Sequence, residues 1–170
     1  MYYCLICYPK IDTSKIESFR EKYDPMFYHI EAHMTFVFPI NTDKIDRAVL
    51  LAHIKNMTND FPAFNISLGG FEKSWDHYLF LKIKNGIEKF IELHDKLYTG
   101  VLEQHLRKDL PFSPHLTLGH IVKDCTYNKA LTEANKLNMG YKTKIDCLTL
   151  ITLNDDFSKV LESEEFRLKK

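Results

Sequence analysis

The chain has 170 residues, 45% hydrophobic and 27% charged, with 23 Lys+Arg against 23 Asp+Glu and a formal net charge of +0. These values belong to a globular chain with one well-packed core, and they exclude disordered, collagen-like and fibrous classes. The balanced charge excludes dependence on bulk attraction to duplex DNA or an anionic membrane, while leaving room for a local basic site that holds one phosphate.

Tyr2–Tyr8 is an apolar run closed by Pro9 and reads as a strand. It has no basic start and no small-residue cleavage site, so it does not read as a secretory signal. No stretch approaches the roughly 18 apolar residues of a membrane span. Cys4 and Cys7 lie three apart on this strand and point to opposite faces. With Cys125 and Cys147 they are expected to be buried, reduced thiols in a cytoplasmic protein. Asp12-Thr13-Ser14 supplies N-cap candidates for a helix carrying Ile16, Phe19 and Tyr23, ended by Asp24-Pro25. Ala32–Phe38, before Pro39, is short and rich in β-formers. Asp43 opens a helix with Ile45, Ala48, Val49, Ala52 and His53 on one stripe, and Phe64–Phe71 closes the first half as a strand with a bulge at Gly69-Gly70.

The second half repeats this order. After a turn at Lys73–His77, Tyr78–Lys84 alternates as a strand. Ile87, Phe90, Ile91, His94, Leu97, Tyr98 and Val101 follow the spacing of an amphipathic helix. Pro114–His120 is again strand-like, and Tyr127, Ala130, Leu131, Ala134 and Leu137 mark a helix ended by Gly140. Lys142–Leu153 and Glu165–Lys169 read as closing strands joined by a turn at Asn154-Asp155-Asp156. Strand, helix, His-x-Thr strand, helix, strand thus occurs twice. The repeat predicts a single α+β, bilobal domain over residues 1–170. Two pseudo-symmetric lobes of mainly antiparallel sheet carry helices on the outside, with a cleft between them.

The chemistry sits in the two His-x-Thr pairs. Residues two apart on a strand share a face, so His33 projects with Thr35, and His115 with Thr117, while Met34, Phe36 and Phe38 or Leu116 and Leu118 point into the core. Four such groups in one cleft suit phosphoryl transfer at a ribose hydroxyl. One imidazole removes a proton from the attacking oxygen, the other supplies one to the departing oxygen, and the hydroxyls donate to the non-bridging oxygens. No metal or other cofactor is called for, and no ligand-like spacing stands beside either pair. A bare His-x-Thr is a weak pattern; the weight comes from its recurrence in two short apolar strands at equivalent places.

His33-Met34-Thr35-Phe36-Val37-Phe38 and Phe112-Ser113-Pro114-His115-Leu116-Thr117-Leu118 resemble the two motifs of the two-histidine phosphoesterase superfamily, in its 2′-5′ RNA ligase and cyclic phosphodiesterase branch. Tyr23-Asp24-Pro25 and Lys96–Leu102 are similar to a group of short bacterial members. The resemblance implies the family's bilobal fold, metal-independent catalysis by His33 and His115, and phosphate binding by Thr35 and Thr117. The expected partner is a cyclic-phosphate nucleotide or an RNA end, hydrolysed at a 2′,3′-cyclic phosphate or a 2′-5′ linkage. Alternatives are 2′-5′ RNA ligation through the same pair, or a non-catalytic phosphate-binding module. No protein partner is indicated. Two departures stand out: His120 occupies a place where many relatives carry arginine, and Val37 one where some short bacterial relatives do.

Among the remaining residues, His120, with strand parity opposite to His115, is expected on the Leu116 face unless the strand twists. His120, Lys123, Tyr127 and Tyr8 are candidate cleft contacts. His53 and His94 are expected to be core or half-buried, and His29, His77 and His105 solvated. Asp155-Asp156 reads as a turn, and Trp75 as a hairpin-tip residue.

Overall fold

A computed structural model describes residues 1–74 and 76–170, so the reading of Trp75 lies outside the described residues. The elements run β1 (Tyr2–Cys7), α1 (Ser14–Tyr23), β2 (Met34–Asn41), α2 (Arg47–Asn59), β3 (Phe64–Lys73), β4 (Tyr78–Asn85), α3 (Ile87–Leu97), β5 (His115–His120), α4 (Asp124–Lys136), β6 (Tyr141–Ile145), β7 (Cys147–Leu153) and β8 (Val160–Arg167). The strands form one curled sheet in the order β6-β3-β4-β5-β2-β1-β7-β8, every neighbouring pair antiparallel.

That order is a palindrome about the β5–β2 seam. Four strands on one side, β5-β4-β3-β6, answer four on the other, β2-β1-β7-β8, and the seam itself is one paired position, Met34 opposite Leu116. The two lobes are therefore present, but they do not follow the two halves of the chain. β3, read as the end of the first half, pairs with β4 and β6 in the second lobe. The predicted Lys142–Leu153 strand is broken at Asp146, so that β6 joins β3 while β7 crosses to β1. The last strand starts earlier than expected, at Val160, and pairs along the whole of β7.

Side chains from all four helices meet one face of the sheet in a single buried cluster. Alternation supplies the sheet's share: Leu5 and Cys7 of β1, Met34 and Phe36 of β2, Leu79 and Leu81 of β4, and Leu116 and Leu118 of β5 are nearly or fully buried. α1 packs on β5 and α3 on β2, so each helix reaches the histidine strand of the opposite lobe. Phe90 of α3 stacks on Phe36 of β2, with centroids 3.9 Å apart and planes 8° from parallel, a contact worth about 0.5–1.5 kcal/mol beyond burial. At the other crossing Gly119 of β5 lies so close to α1 that a Cβ there would meet the Tyr23 carbonyl oxygen at 2.7 Å. The opposite face is largely open and carries a small apolar cluster of Cys4, Ile6, Ile151 and Leu153.

Several local expectations are corrected. Asp46, not Asp43, caps α2, its carboxylate accepting from the Val49 N–H at 3.0 Å, after a 3₁₀ turn at Thr42–Lys44. The buried face of α2 is Leu50, Ile54 and Thr58, and Val49 is exposed. The run Ala-Val-Leu-Leu-Ala is apolar all round, so periodicity there did not select a face. α3 ends at Leu97, and Val101 belongs to a 3₁₀ segment, Gly100–His105. Phe38 is only half-buried, its N–H donating to the Tyr98 hydroxyl at 3.0 Å. All four cysteines are free thiols; Cys4 and Cys7 are buried, but Cys125 is exposed and Cys147 half-buried. His77 and His105 are half-buried, not solvated, each with one ring nitrogen lacking a partner. His94 is buried, stacked on Phe112 at 3.5 Å, and His53 is half-buried, with Nε2 at 2.9 Å from the Leu97 carbonyl. The Asn154–Asp156 segment is a turn as expected. Among the described residues no helix is long and apolar enough to cross a membrane.

Candidate active site

β2 and β5 meet where both His-x-Thr segments begin. With Met34 opposite Leu116 on the core face, the antiparallel register continues with His33 opposite Thr117 and Thr35 opposite His115 on the open face. Directly opposite residues have Cβ atoms about 4.5–5.5 Å apart, and diagonal ones about 7–8 Å. Antiparallel register from that pair thus predicts a four-cornered set, a square, with the two imidazoles on one diagonal and the two hydroxyls on the other. His33, Thr35 and Thr117 line a common pocket of about 200 Å³.

Each imidazole is oriented in the same way. His33 Nδ1 lies 2.8 Å from the Glu31 carbonyl oxygen and His115 Nδ1 lies 2.6 Å from that of Ser113. In both cases the acceptor is two residues upstream. A carbonyl accepts only, so Nδ1 carries the proton and the neutral ring presents an unprotonated Nε2. Burial lowers the pKa of both rings, and the Nδ1–H donated to the carbonyl partly offsets this. His33 also lowers the pKa of His115 by charge repulsion, a smaller effect than burial. The surroundings differ otherwise. The Arg20 guanidinium disfavours, and Asp24 favours, a charged His33, whereas Glu72 and Asp76 favour a charged His115.

Arg20 is buried at 2% exposure, and all three of its nitrogens are used. Nε bonds Asp24 at 2.8 Å, Nη1 bonds Glu17 at 3.0 Å, and Nη2 donates to the Ile30 carbonyl at 2.8 Å. Glu17 in turn accepts from the Ala32 N–H at 2.9 Å. This network ties the 24–32 segment to α1 and fixes the backbone that delivers His33. His115 is held differently, by the Phe80 ring stacked on it at 3.5 Å and 18°. Phe80 stacks on Tyr78 at 5.9 Å and Tyr78 on His120 at 4.4 Å, giving a ladder of four rings across β4 and β5. On the other lobe the pocket wall is apolar, formed by Cys4, Met26, Ile30, Ile151, Leu153 and Phe157. Cys4 is spent within it: its Sγ donates to the Val37 carbonyl at 3.2 Å, and burial pushes the thiol up to about 12.

The secondary candidates separate. β5 is bulged, Phe80 pairing with Thr117 but Leu79 with Gly119, so one extra residue inverts the alternation after Thr117. His120 therefore emerges on the open face beside Tyr78, contrary to its parity, with Nε2 3.1 Å from the Asp76 carbonyl. Tyr8 is exposed just past the end of β1, close enough to Glu31 for that carboxylate to raise its pKa, although burial is the larger cause. Tyr127 is not a cleft residue: it is 3% exposed in the helix-side core, under the Lys73 ammonium at 4.5 Å. Lys123 is exposed, next to α4, and does not line the pocket. Sequence reasoning missed Arg20, Asp24, Tyr78 and Phe80. Two signals were available: the i, i+4 spacing of Arg20 on α1 and Asp24 at its C-cap, and the two-residue spacing of Tyr78 and Phe80, which sets both rings on one face of β4. Among the described residues, no three His, Cys, Asp or Glu side chains cluster where they could hold a metal ion.

Comparison with known proteins bears on the family and the fold. Residues 8–157 match the profile of the 2′-5′ RNA ligase superfamily. A Bacillus licheniformis protein named "putative phosphoesterase" is 22% identical over 161 residues, covering 93% of this chain and 94% of its own. Two solved structures share the fold. TT0787 of Thermus thermophilus has a TM-score of 0.59 at 14% identity, covering 100% of both chains. E. coli LigT complexed with 3′-AMP has a TM-score of 0.58 at 15% identity, covering 99% of this chain and 95% of that one.

Proposed function

The chain belongs to the 2′-5′ RNA ligase superfamily of two-histidine phosphoesterases, and from that premise we propose that it hydrolyses 2′,3′-cyclic phosphates, or 2′-5′ linkages, at RNA ends or on small nucleotides. The observation that carries the reading is the Met34–Leu116 pairing, which joins the two His-x-Thr strands, with both Nδ1 atoms committed to backbone carbonyls. His33 and His115 are the catalytic pair and Thr35 and Thr117 hold the phosphate. One neutral imidazole takes the proton of the attacking water at Nε2 as its oxygen bonds to phosphorus. The opposite imidazolium gives its Nε2 proton to the ribose oxygen as that P–O bond breaks. Charge growing on the non-bridging oxygens is met by the two hydroxyls. The cyclic diester and one water become one linear monoester, and side chains supply every group that this step uses. The apolar wall around Ile151, Leu153 and Phe157 suits the nucleoside, and the complex of E. coli LigT with 3′-AMP supports a ligand of that class.

The test is incubation of purified protein with a nucleoside 2′,3′-cyclic monophosphate in excess EDTA, followed by ³¹P NMR. The expected result is conversion to a linear monophosphate, with kcat lowered about 10²–10⁴-fold in His33→Ala and His115→Ala. An intact cyclic phosphate throughout, or unchanged rates in both variants, overturns the proposal.

A further inference from the structure

The two lobes differ in what their open faces offer beyond the square. On the β1–β7 side the face is apolar, as described. On the β4–β3–β6 side it is basic. Lys82 stands directly across from His115 in the β4–β5 register, and its charge is taken by Glu72 at 2.6 Å. Two residues further along β4 is Lys84, about 7 Å on, its side chain lying over Gly69 so closely that a Cβ there would meet its Cε at 3.3 Å. The neighbouring strand carries Ser67, bonded to Asn85 at 2.7 Å. β6 sets Lys142 opposite Ser67 and Lys144 opposite Asn65. Asn65, Ser67, Asn85, Lys142 and Lys144 line a groove of about 440 Å³, with Lys84 next to Asn85 on β4. Lys84, Lys142 and Lys144 are exposed, and among the described residues none of the three is in an ion pair.

We propose that this strip is a track for the phosphate backbone of a single-stranded polynucleotide whose reactive end lies in the histidine square. The proposal rests on the reading above for the identity of that end and goes beyond it in naming a polymer, not a mononucleotide, as the preferred substrate. Three arguments converge. The strip is continuous with the square through strand pairing, from His115 to Lys82 and Lys84 and then across β3 to β6, three strand spacings or about 14 Å. Its cations alternate with hydroxyl and amide groups, the set that contacts phosphate and ribose. The net charge of the chain is +0, so this cluster is a local feature and not a share of a general basic excess.

The experiment compares wild type with the Lys84→Ala/Lys142→Ala/Lys144→Ala variant on two substrates, a nucleoside 2′,3′-cyclic monophosphate and a short oligoribonucleotide ending in the same group. The variant is expected to keep the mononucleotide rate and to lose about tenfold or more in kcat/KM on the oligonucleotide at low salt. The slope of log affinity for the oligonucleotide against log salt should fall by about 2, the share of three single-strand phosphate contacts. An unchanged ratio of the two substrates in the variant overturns the track. If wild type turns over neither substrate, the hydrolase reading fails, and the track is judged alone by fluorescence anisotropy with an uncleavable 3′-phosphorylated oligonucleotide. Lysine-dependent, salt-sensitive binding then supports the track; absent or lysine-independent binding overturns it. Competition by polyglutamate as effective as that by the oligonucleotide also overturns it, in favour of an acidic protein segment.

Discussion

At the scale of single residues, the hydroxyls and imidazoles make separable predictions. Thr35→Ala and Thr117→Ala each remove one hydrogen bond to the transition state and are expected to slow turnover about 10–10³-fold, less than loss of either histidine. Both values come from steady-state rates on a cyclic nucleotide, and a threonine variant at wild-type rate would remove that hydroxyl from the mechanism. Burial holds the pKa of both imidazoles below its ordinary value, so kcat/KM against pH should be bell-shaped with its optimum on the acid side of about 6.5. Its two limbs belong to the coupled pair and not to either ring. A profile that rises continuously to pH 9 would contradict this. The same shifts govern stability. His33, His115 and His94 resist protonation in the folded chain, while the unfolded chain accepts protons from about pH 6.5 downward. The unfolded state then binds more protons, so stability is lost as pH falls below about 6.5 and is unaffected by these groups above it. Thermal melts from pH 8 to pH 5 should show Tm falling through that window; a rise would contradict the sign.

At the scale of elements, the site depends on close contacts between helices and the strands of the opposite lobe. Gly119 lets α1 lie on β5, and Gly119→Ala would drive a methyl group into the Tyr23 backbone. A loss of about 1–3 kcal/mol in denaturant unfolding is expected, and unchanged stability would contradict the contact. The sequence made much of this legible and left some of it hidden, for physical reasons. Period-two alternation located both His-x-Thr strands and told which side chains share the open face. It failed at His120, because the β5 bulge adds a residue and inverts the count. It failed at the Lys142–Leu153 run, because a break at one residue, Asp146, separates two strands that serve different lobes. α2 was misfaced because aliphatic residues surround the helix, and Tyr127 was misplaced because a buried aromatic on a helix stripe looks the same whether it faces a cleft or a core. The apolar pocket wall drew on loops and on β7, whose meeting with β1 no local pattern announces.

At the scale of the molecule, the palindromic sheet explains how a duplicated order of elements yields one site. The lobes are interlaced in the chain: β7 and β8 return to β1 after the second lobe is complete. α1 and α3 each pack across the seam. Neither half can therefore close its core alone, and residues 1–170 are expected to unfold as one cooperative unit. Fluorescence and far-ultraviolet circular dichroism should give coincident denaturation curves, and two resolved transitions would contradict the interlacing. The same seam carries the central claim, that imidazoles from two distant segments address one phosphoryl group. Long-range ¹H–¹⁵N NMR of the histidine rings during titration with a nucleoside monophosphate tests it most directly. His33 and His115 are expected to show the Nδ1–H tautomer when neutral and to shift together at Nε2, saturating at one equivalent of ligand. A response confined to one ring, or two responses saturating at different concentrations, would contradict the account.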